Sequence, residues 1–259
     1  MIGIGIDIGS TAAKAAVVDG EGSVAWTCVQ PTGFSSVDAA ERLRGELAAA
    51  GYDVAADNVR VIATGYGRVA VPYAHKVVTE ITCHGTGAVR LFGDHGTVID
   101  VGGQDTKVIQ LKSGRVAKFA MNDKCAAGTG RFLEMTMSRV GSDIASIDTF
   151  VEGAEPVTIN SMCAVFAESE IIGLLAQETP PGSIALGCIY SICRRTAIFA
   201  QKLAPEHPKV FFSGGLAQSQ VVREVLARYL GVESVTAHPL CQYNGAIGAA
   251  VLGWKRVNR

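Results

Sequence analysis

The sequence lacks the features that mark several large classes of protein. Its 23 Lys and Arg are balanced by 24 Asp and Glu, so the formal net charge is −1. Proteins that bind nucleic-acid backbones carry a clear basic excess, which is missing here. Apolar stretches are broken by Gly, Asp, Glu or Arg well short of the roughly 18 residues of a membrane span, and no basic leader precedes the first strand-like run. We therefore expect a cytoplasmic chain without nucleic-acid or membrane partners.

The sequence also lacks three local signatures. The phosphate loop GxxxxGKS/T is absent, as is any Pro- or Ser-rich linker, and no two cysteines form a CxxC pair. An odd number of cysteines in a cytoplasmic chain does not indicate a disulfide framework, and the missing CxxC pair disfavours a zinc ribbon. The seven cysteines are Cys28, Cys83, Cys125, Cys163, Cys188, Cys193 and Cys241.

Glycine is abundant, at 30 of 259 residues, and part of it belongs to an internal repeat. The segment GIDIGSTAAK at 5–14 is echoed by VIDVGGQDTK at 98–107, and Asp7 and Asp100 each precede a lysine by seven positions. Each copy has an apolar run, a glycine turn and a second apolar run, the pattern of a β-hairpin. Two such hairpins predict two homologous α/β halves.

The glycine turns have the composition of phosphate sites. Backbone N–H groups in a turn without side chains can approach a phosphate closely, and the hydroxyls of Ser10 and Thr11 can donate to its oxygens. Asp7 and Asp100 can hold Mg²⁺, mostly through water molecules, as that ion prefers. A third turn, at 213–215, follows a strand-like run and precedes a helical one, a position suited to the nucleoside of a nucleotide. One turn alone is equally well explained as an ordinary tight turn, whereas three favour a nucleotide site.

Hydrophobic periodicity outlines the remaining elements. We predict a first half over 1–95, a second half over 96–245, and a C-terminal helix over 246–259 that packs back on the first half. The predicted helices are 38–50, 80–92, 131–141, 164–178, 183–203, 220–231 and the C-terminal segment, and the predicted strands outside the hairpins are 59–65 and 210–213.

Four segments resemble motifs of the actin-like ATPase superfamily: GIDIGSTAAK, DVGGQDTK, FFSGGLAQ and YNGAIGAA. The resemblance implies two ribonuclease H-like α/β halves with a nucleotide cleft between them and a small-residue helix at the hinge. It also implies which residues bind the nucleotide. These are Ser10, Thr11, Ala12, Ala13 and Lys14 at the first phosphate site, Asp100, Gly102, Gly103 and Gln104 at the second, and Gly214, Gly215 and Gln242 near the nucleoside.

Two further segments each contain a cysteine ahead of a predicted helix. Cys125 lies in NDKCAAGTGRFLE and Cys163 in SMCAVFAESEI. A helix N-terminus favours the thiolate form, and a four-iron cluster needs four thiolates. Two chains around a two-fold axis would supply them, which predicts a homodimer with one shared 4Fe–4S cluster. The alternative is that both are buried structural thiols, which are common.

Together, NDKCAAGTGRFL, CAVFAESE, ATGYGR, EITCHGTGA and QYNGAIGAA resemble the activators of 2-hydroxyacyl-CoA dehydratases. The wider group includes ATPase subunits of benzoyl-CoA reductase and reductases of double-cubane-cluster proteins. The resemblance covers nearly the whole chain. It implies an ATPase in which Cys125 and Cys163 bind the cluster, ferredoxin or flavodoxin donates one electron, and ATP hydrolysis drives that electron to a partner iron–sulfur enzyme.

The resemblance assigns catalytic candidates as well. Asp7 and Asp100 would hold the metal ion of MgATP, and Gln104 would sense the γ-phosphate or orient water. Glu168 and Glu170 are either adenosine contacts or surface charges. We expect Cys188 and Cys193 to be core residues, and His84 to give structural support near the hinge.

Two other functions remain open at this point. A small-molecule kinase on the same fold would transfer the γ-phosphate to a carboxylate or hydroxyl, although 259 residues leave little room for a substrate domain. A nucleotide-gated iron–sulfur sensor would bind ATP with negligible turnover. Phosphate transfer and electron transfer distinguish the three.

Overall fold

The computed structural model describes residues 1–160, 164–203 and 209–257. The chain divides into two compact units. The first unit comprises Met1–His95, Ile109–Lys118 and His238–Arg259, and the second comprises Gly96–Val108 and Phe119–Ala237.

The first unit is built on a mixed five-stranded sheet of order β3-β2-β1-β4-β5. Strand β1 pairs antiparallel with β2 and parallel with β4. The predicted first hairpin is thus confirmed. The elements are β1 (Ile2–Ile8), β2 (Ala12–Val18), β3 (Val24–Pro31), α1 (Ser36–Ala49), β4 (Val59–Thr64), β5 (Lys76–Val77), α2 (Glu80–Phe92) and the C-terminal α8 (Asn244–Val257).

A second five-stranded sheet has the order β10-β9-β6-β7-β8. Strand β9 lies parallel to both β6 and β10, and β6 and β7 form the second predicted hairpin. The boundary between the units passes through β7 and β8. The elements are β6 (Gly96–Val101), β7 (Thr106–Lys112), β8 (Arg115–Asn122), α3 (Gly130–Arg139), α4 (Ile147–Phe150), α5 (Ala164–Ala176), α6 (Pro181–Gln201), β9 (Val210–Ser213), α7 (Gln220–Leu230) and β10 (Val235–Ala237).

Among the described residues, α6 is the one helix long and apolar enough, by length and composition, to cross a membrane. Of its most apolar window, 72% is buried inside the protein. Burial of this extent is the property of a core helix, and length and apolar composition alone are weak evidence of a membrane span.

Small residues let α8 lie directly on β1 and α2. A Cβ built at Gly5 would be 1.9 Å from the carbonyl oxygen of Ala246, and one at Gly248 would be 1.8 Å from that of Cys83. No side chain fits at either position unless the backbones separate. The glycines of the last helix therefore fix how closely α2 approaches it, and this contact positions the site residues on α2.

We expect Gly248→Ala to lower the free energy of unfolding by about 1–3 kcal/mol, because the added methyl group meets backbone. Gly45→Ala is the matched control, since Gly45 lies in α1 with no atom near its missing Cβ. That change should raise the stability by about 0.5–1 kcal/mol. Denaturant unfolding of the metal-free variants measures both. Equal effects of the two substitutions would contradict this description of the α2–α8 contact.

Candidate functional site

The first glycine turn joins β1 to β2. The strand register pairs Asp7 with Lys14, and Lys14 Nζ lies 3.9 Å from Asp7 Oδ2. The Gly9 N–H closes the turn on the carbonyl oxygen of Ala12 at 3.1 Å. Ser10 and Thr11 are half-buried at the tip. A buried carboxylate paired with a lysine thus lies below a turn that carries two hydroxyls.

Ala13 lies in β2 with its side chain fully buried in the core of the first unit. The whole of Ala13 is buried, main chain included, whereas Ala12 is partly exposed. The alternation of a strand places neighbouring side chains on opposite faces of the sheet, so the two alanines cannot contribute side chains to the same site.

The second turn, between β6 and β7, repeats this arrangement. Lys107 Nζ lies 3.7 Å from Asp100 Oδ2 and 2.6 Å from Asp105 Oδ2. The Gly102 N–H closes the turn on the carbonyl oxygen of Asp105 at 2.9 Å. Gln104 is exposed at the tip. The Asp-to-Lys spacing seen in the sequence therefore corresponds to an ion pair across each hairpin, buried in the second and partly exposed at Lys14 in the first.

The repeat extends to a neighbouring strand in each unit. Register pairs Asp100 with Ser213 on β9 and Asp7 with Thr64 on β4, and the Ser213 hydroxyl donates to Asp100 Oδ1 at 2.6 Å. Glycine follows in both cases. Gly214 has φ 95° with its missing Cβ 2.3 Å from the Val101 carbonyl oxygen, and Gly65 has φ 91° with its missing Cβ 2.5 Å from Asp7 Oδ1.

Gly65 was not among the predicted site residues, although its surroundings match those of Gly214. The segment ATGYGR contains it, but the sequence does not show that this turn contacts Asp7. The third predicted turn does follow a strand, yet a short 3₁₀ helix, Gly215–Gln218, separates it from α7. Gln242 lies half-buried in the 3₁₀ turn Cys241–Tyr243 before α8. Gly214 and Gly215 are in the second unit and Gln242 is in the first.

Backbone hydrogen bonds tie the second turn to the start of α3. The Gly130 N–H donates to the Gly102 carbonyl oxygen and the Arg131 N–H to that of Gly103, both at 2.9 Å. Just before α3, the carbonyl oxygen of Gly128 accepts a hydrogen bond from the buried Thr106 hydroxyl at 2.8 Å. The first residues of α3 therefore follow any movement of the second glycine turn.

Cys125 stands at the head of that segment and is exposed. It precedes a single 3₁₀ turn, Ala126–Gly128, and α3 begins only at Gly130. The helix predicted over 131–141 corresponds to α3, and the 3₁₀ turn lies between it and Cys125. The Asn122 side-chain amide donates to the Cys125 carbonyl oxygen at 3.4 Å. Cys163, the second predicted ligand, lies outside the described residues.

The other described cysteines are sheltered to different degrees. Cys83, Cys188, Cys193 and Cys241 are buried, and Cys28 is half-buried. Burial raises the pKa of the Cys83 and Cys193 thiols to about 12 and that of Cys188 to about 11. The prediction that Cys188 and Cys193 belong to the core is confirmed, and a buried thiol of this kind is a poor metal ligand at neutral pH.

This difference predicts selective alkylation. In folded, metal-free protein at pH 8, iodoacetamide should label Cys125 rapidly and leave Cys83, Cys188 and Cys193 unlabelled. A thiol of pKa near 12 is a thiolate in roughly one molecule in 10,000 at this pH, and burial excludes the reagent as well. Peptide mass spectrometry before and after unfolding measures the labelling. If Cys188 in the folded protein were labelled as fast as Cys125, the description of Cys188 as a buried core residue would be wrong.

Glu168 and Glu170 each form side-chain contacts with other residues of the second unit. Arg139 on α3 forms an ion pair with Glu168 on α5, its Nε lying 2.8 Å from Oε1. The Glu170 carboxylate accepts from the backbone and the side-chain amide of Asn160, at 2.8 and 3.3 Å. The first contact links α3 to α5, and the second ties Asn160 to α5.

Comparison with known proteins identifies the family and the fold of this chain. The family model that matches the chain spans residues 4–253. The chain belongs to the BadF/BadG/BcrA/BcrD ATPase family. Its fold is the mixed α/β fold of the actin-like ATPase activators, as the resemblance implied.

One sequence match and two structure matches show what the chain is similar to. The (R)-2-hydroxyglutaryl-CoA dehydratase activating ATPase of Acidaminococcus fermentans is 40% identical over 258 residues, covering 98% of this chain and 97% of that protein. The crystal structure of component A of the dehydratase from that organism superposes with a TM-score of 0.91 at 35% identity, covering 100% of both chains. The activator of 2-hydroxyisocaproyl-CoA dehydratase from Clostridium difficile, with bound ADPNP, superposes with a TM-score of 0.89 at 32% identity, covering 100% of this chain and 96% of that one.

Proposed function

We propose that this member of the family is an ATP-dependent one-electron reductase that activates a partner iron–sulfur enzyme, such as a 2-hydroxyacyl-CoA dehydratase or a double-cubane-cluster protein. The observation that carries the proposal is the set of hydrogen bonds between the second glycine turn and the segment that begins at Cys125. A nucleotide that moves Gly102 and Gly103 would move the start of α3 with them. The relatives named above are activators of such dehydratases, which supports the same function.

In this proposal the glycine turns bind ATP. The Ser10–Lys14 turn and the Gly102–Gln104 turn contact phosphates through backbone N–H groups and hydroxyls, while Gly214, Gly215 and Gln242 contact the nucleoside. Asp7 and Asp100 face the hydrated Mg²⁺ of MgATP, which prefers carboxylates and water. Gln104, exposed at its tip, orients the attacking water or senses the γ-phosphate.

The proposed cluster needs a second copy of the chain. Cys125 fits a cluster ligand because it is the exposed thiol among the described cysteines, and its proposed partner Cys163 precedes α5. One chain supplies two proposed thiolates and a four-iron cluster needs four, so a homodimer would complete the ligand set. Among the residues that the structure describes, no three His, Cys, Asp or Glu side chains form a metal site. When bound, a 4Fe–4S cluster accepts and releases one electron at a potential set by its surroundings.

Exposed apolar side chains support such a dimer. In the second unit one of them, Ile198, lies on α6. The others lie on β8 and α5, the elements next to the two cysteine segments; they are Phe119, Met121, Phe166 and Ile172. A contiguous exposed apolar patch is typical of a protein–protein interface. A second copy would cover them and exclude water from the proposed cluster.

Coupling of ATP to electron transfer follows from this arrangement. A cytoplasmic ferredoxin or flavodoxin reduces the protein, and ATP binding and hydrolysis bias two conformations that differ in their affinity for the acceptor. In the second unit, Thr106 and Gly102 transmit that bias to Cys125 through Gly128 and Gly130. The electron then passes to the partner.

The test uses anaerobic, dithionite-reduced protein mixed with a purified 2-hydroxyacyl-CoA dehydratase. We expect the absorbance of the protein to return to the oxidised form only when MgATP is present, with phosphate release. Transfer of labelled γ-phosphate to an acceptor other than water would instead indicate a kinase. Nucleotide binding without hydrolysis or electron transfer would indicate a sensor.

A further inference from the structure

One buried imidazole borders the same small space as Asp7 and has no part in the proposed function so far. His84, on α2, is 8% exposed. A Cβ built at Gly245 would lie 2.7 Å from Asp7 Oδ2 and 2.9 Å from His84 Nε2. Both atoms therefore border the same small space above the Gly245 α-carbon, and the glycine at the start of α8 lets them approach it.

The contacts of Asn244 assign the proton to one of the two ring nitrogens. Its side-chain amide nitrogen donates to the His84 carbonyl oxygen at 3.1 Å and lies 3.5 Å from His84 Nδ1. An amide nitrogen only donates, so Nδ1 is the accepting nitrogen and the proton of the neutral ring is on Nε2. Nε2 is the nitrogen that borders the space shared with Asp7.

The internal repeat indicates a role for this N–H. In the second unit, Ser213 donates to Asp100 from the neighbouring strand. The residue in the equivalent register of the first unit is Thr64, and its buried hydroxyl has no hydrogen-bond partner among the described residues. At the position where Asp100 accepts a hydrogen bond from Ser213, Asp7 therefore has a threonine that does not donate to it. His84, the residue after Cys83, offers an N–H from α2 in its place.

We propose that His84 is a positioning residue for Asp7, and that its Nε2–H holds the carboxylate in the orientation that binds the hydrated Mg²⁺ of MgATP. This inference rests on the proposed role of Asp7. Lys14, at 3.9 Å, balances the charge of the carboxylate without fixing its rotation. Loss of a group that orients a metal-binding carboxylate typically weakens metal affinity about 10–100-fold.

Two substitutions separate positioning from packing. Glutamine places a side-chain N–H near the position of Nε2, whereas asparagine places one near Nδ1 and cannot reach Asp7. In full-length protein, ATP hydrolysis is measured against Mg²⁺ concentration at saturating ATP. We expect His84→Asn to raise the half-saturating Mg²⁺ concentration about tenfold, and His84→Gln to stay within about threefold of wild type.

Three controls accompany this measurement. His95→Gln removes an exposed imidazole bonded to Asp94 and should leave the Mg²⁺ response unchanged. Thermal unfolding reports whether both His84 variants fold equally well. In wild-type protein with ¹⁵N-labelled histidine, we expect the His84 ring to show the Nε2–H tautomer, a readout that needs neither a variant nor activity.

The outcomes are distinct. Equal Mg²⁺ responses of His84→Asn and His84→Gln in a wild type that hydrolyses ATP would overturn the inference alone, as would an Nδ1–H tautomer. A wild-type protein that binds no MgATP would contradict the proposed function and, with it, the role given to Asp7.

Discussion

Cys125→Ser should remove nearly all bound iron from protein purified without oxygen. Wild-type protein is expected to hold about two irons per chain, because one four-iron cluster is shared by two chains. The substitution removes two of the four thiolates in the dimer, and a serine hydroxyl stays protonated where a thiol ionises. We expect less than a tenth of the wild-type iron, measured with acid-labile sulfide on the same sample.

Cys193→Ser is the matched control. Cys193 is buried on α6 and donates to the Val222 carbonyl oxygen at 3.6 Å, a bond that a serine hydroxyl can replace. This variant has the same chemical change away from the proposed cluster and should keep its iron. Full iron content in Cys125→Ser, or its loss in Cys193→Ser alone, would show that the cluster ligands are wrongly assigned.

Asp100→Asn should lower the rate of ATP hydrolysis about 100-fold, the scale on which removal of one electrostatic group of an active site acts. Asparagine can still accept the hydrogen bond from Ser213, and Lys107 keeps its ion pair with Asp105. The turn should therefore hold its shape while the charge facing the metal ion is lost. Phosphate release under saturating MgATP measures the effect.

Asp105→Asn tests whether the loss of any negative charge beside Lys107 is enough to lower the rate of ATP hydrolysis. Asp105 is partly exposed and pairs with the same lysine. We expect its hydrolysis rate to stay within about fivefold of wild type, since a partly exposed charge pair contributes little. Similar rates for the two variants would argue that Asp100 acts only through its ion pair.

Local chemistry explains what could be predicted from the sequence. The hairpins at Gly9 and Gly102 follow from turn residues placed between apolar runs, so both were found together with their Asp–Lys pairs. Helix α7 ends at Gly231, which has φ 68°, as its position in the sequence indicated. In these segments the residues that determine the structure are neighbours in the chain.

Long-range contacts explain what was missed. Strand β8 exposes much of its length, as edge strands do, and has no clear apolar alternation. The bond from Thr106 to Gly128 and the approach of His84 to Asp7 join residues that are 22 and 77 positions apart. No local pattern marks such pairs, because the sheet register and the α2–α8 contact create them. His84 was accordingly expected to be structural, and the proposal made for it depends on the fold.

The central claim, one cluster shared by two chains, is tested most directly on wild-type protein. Iron and acid-labile sulfide per chain are measured anaerobically, together with the mass in solution. The account predicts the mass of two chains with about two irons and two sulfides per chain. A monomer that binds ATP but holds no iron would leave the fold in place and contradict the reductase.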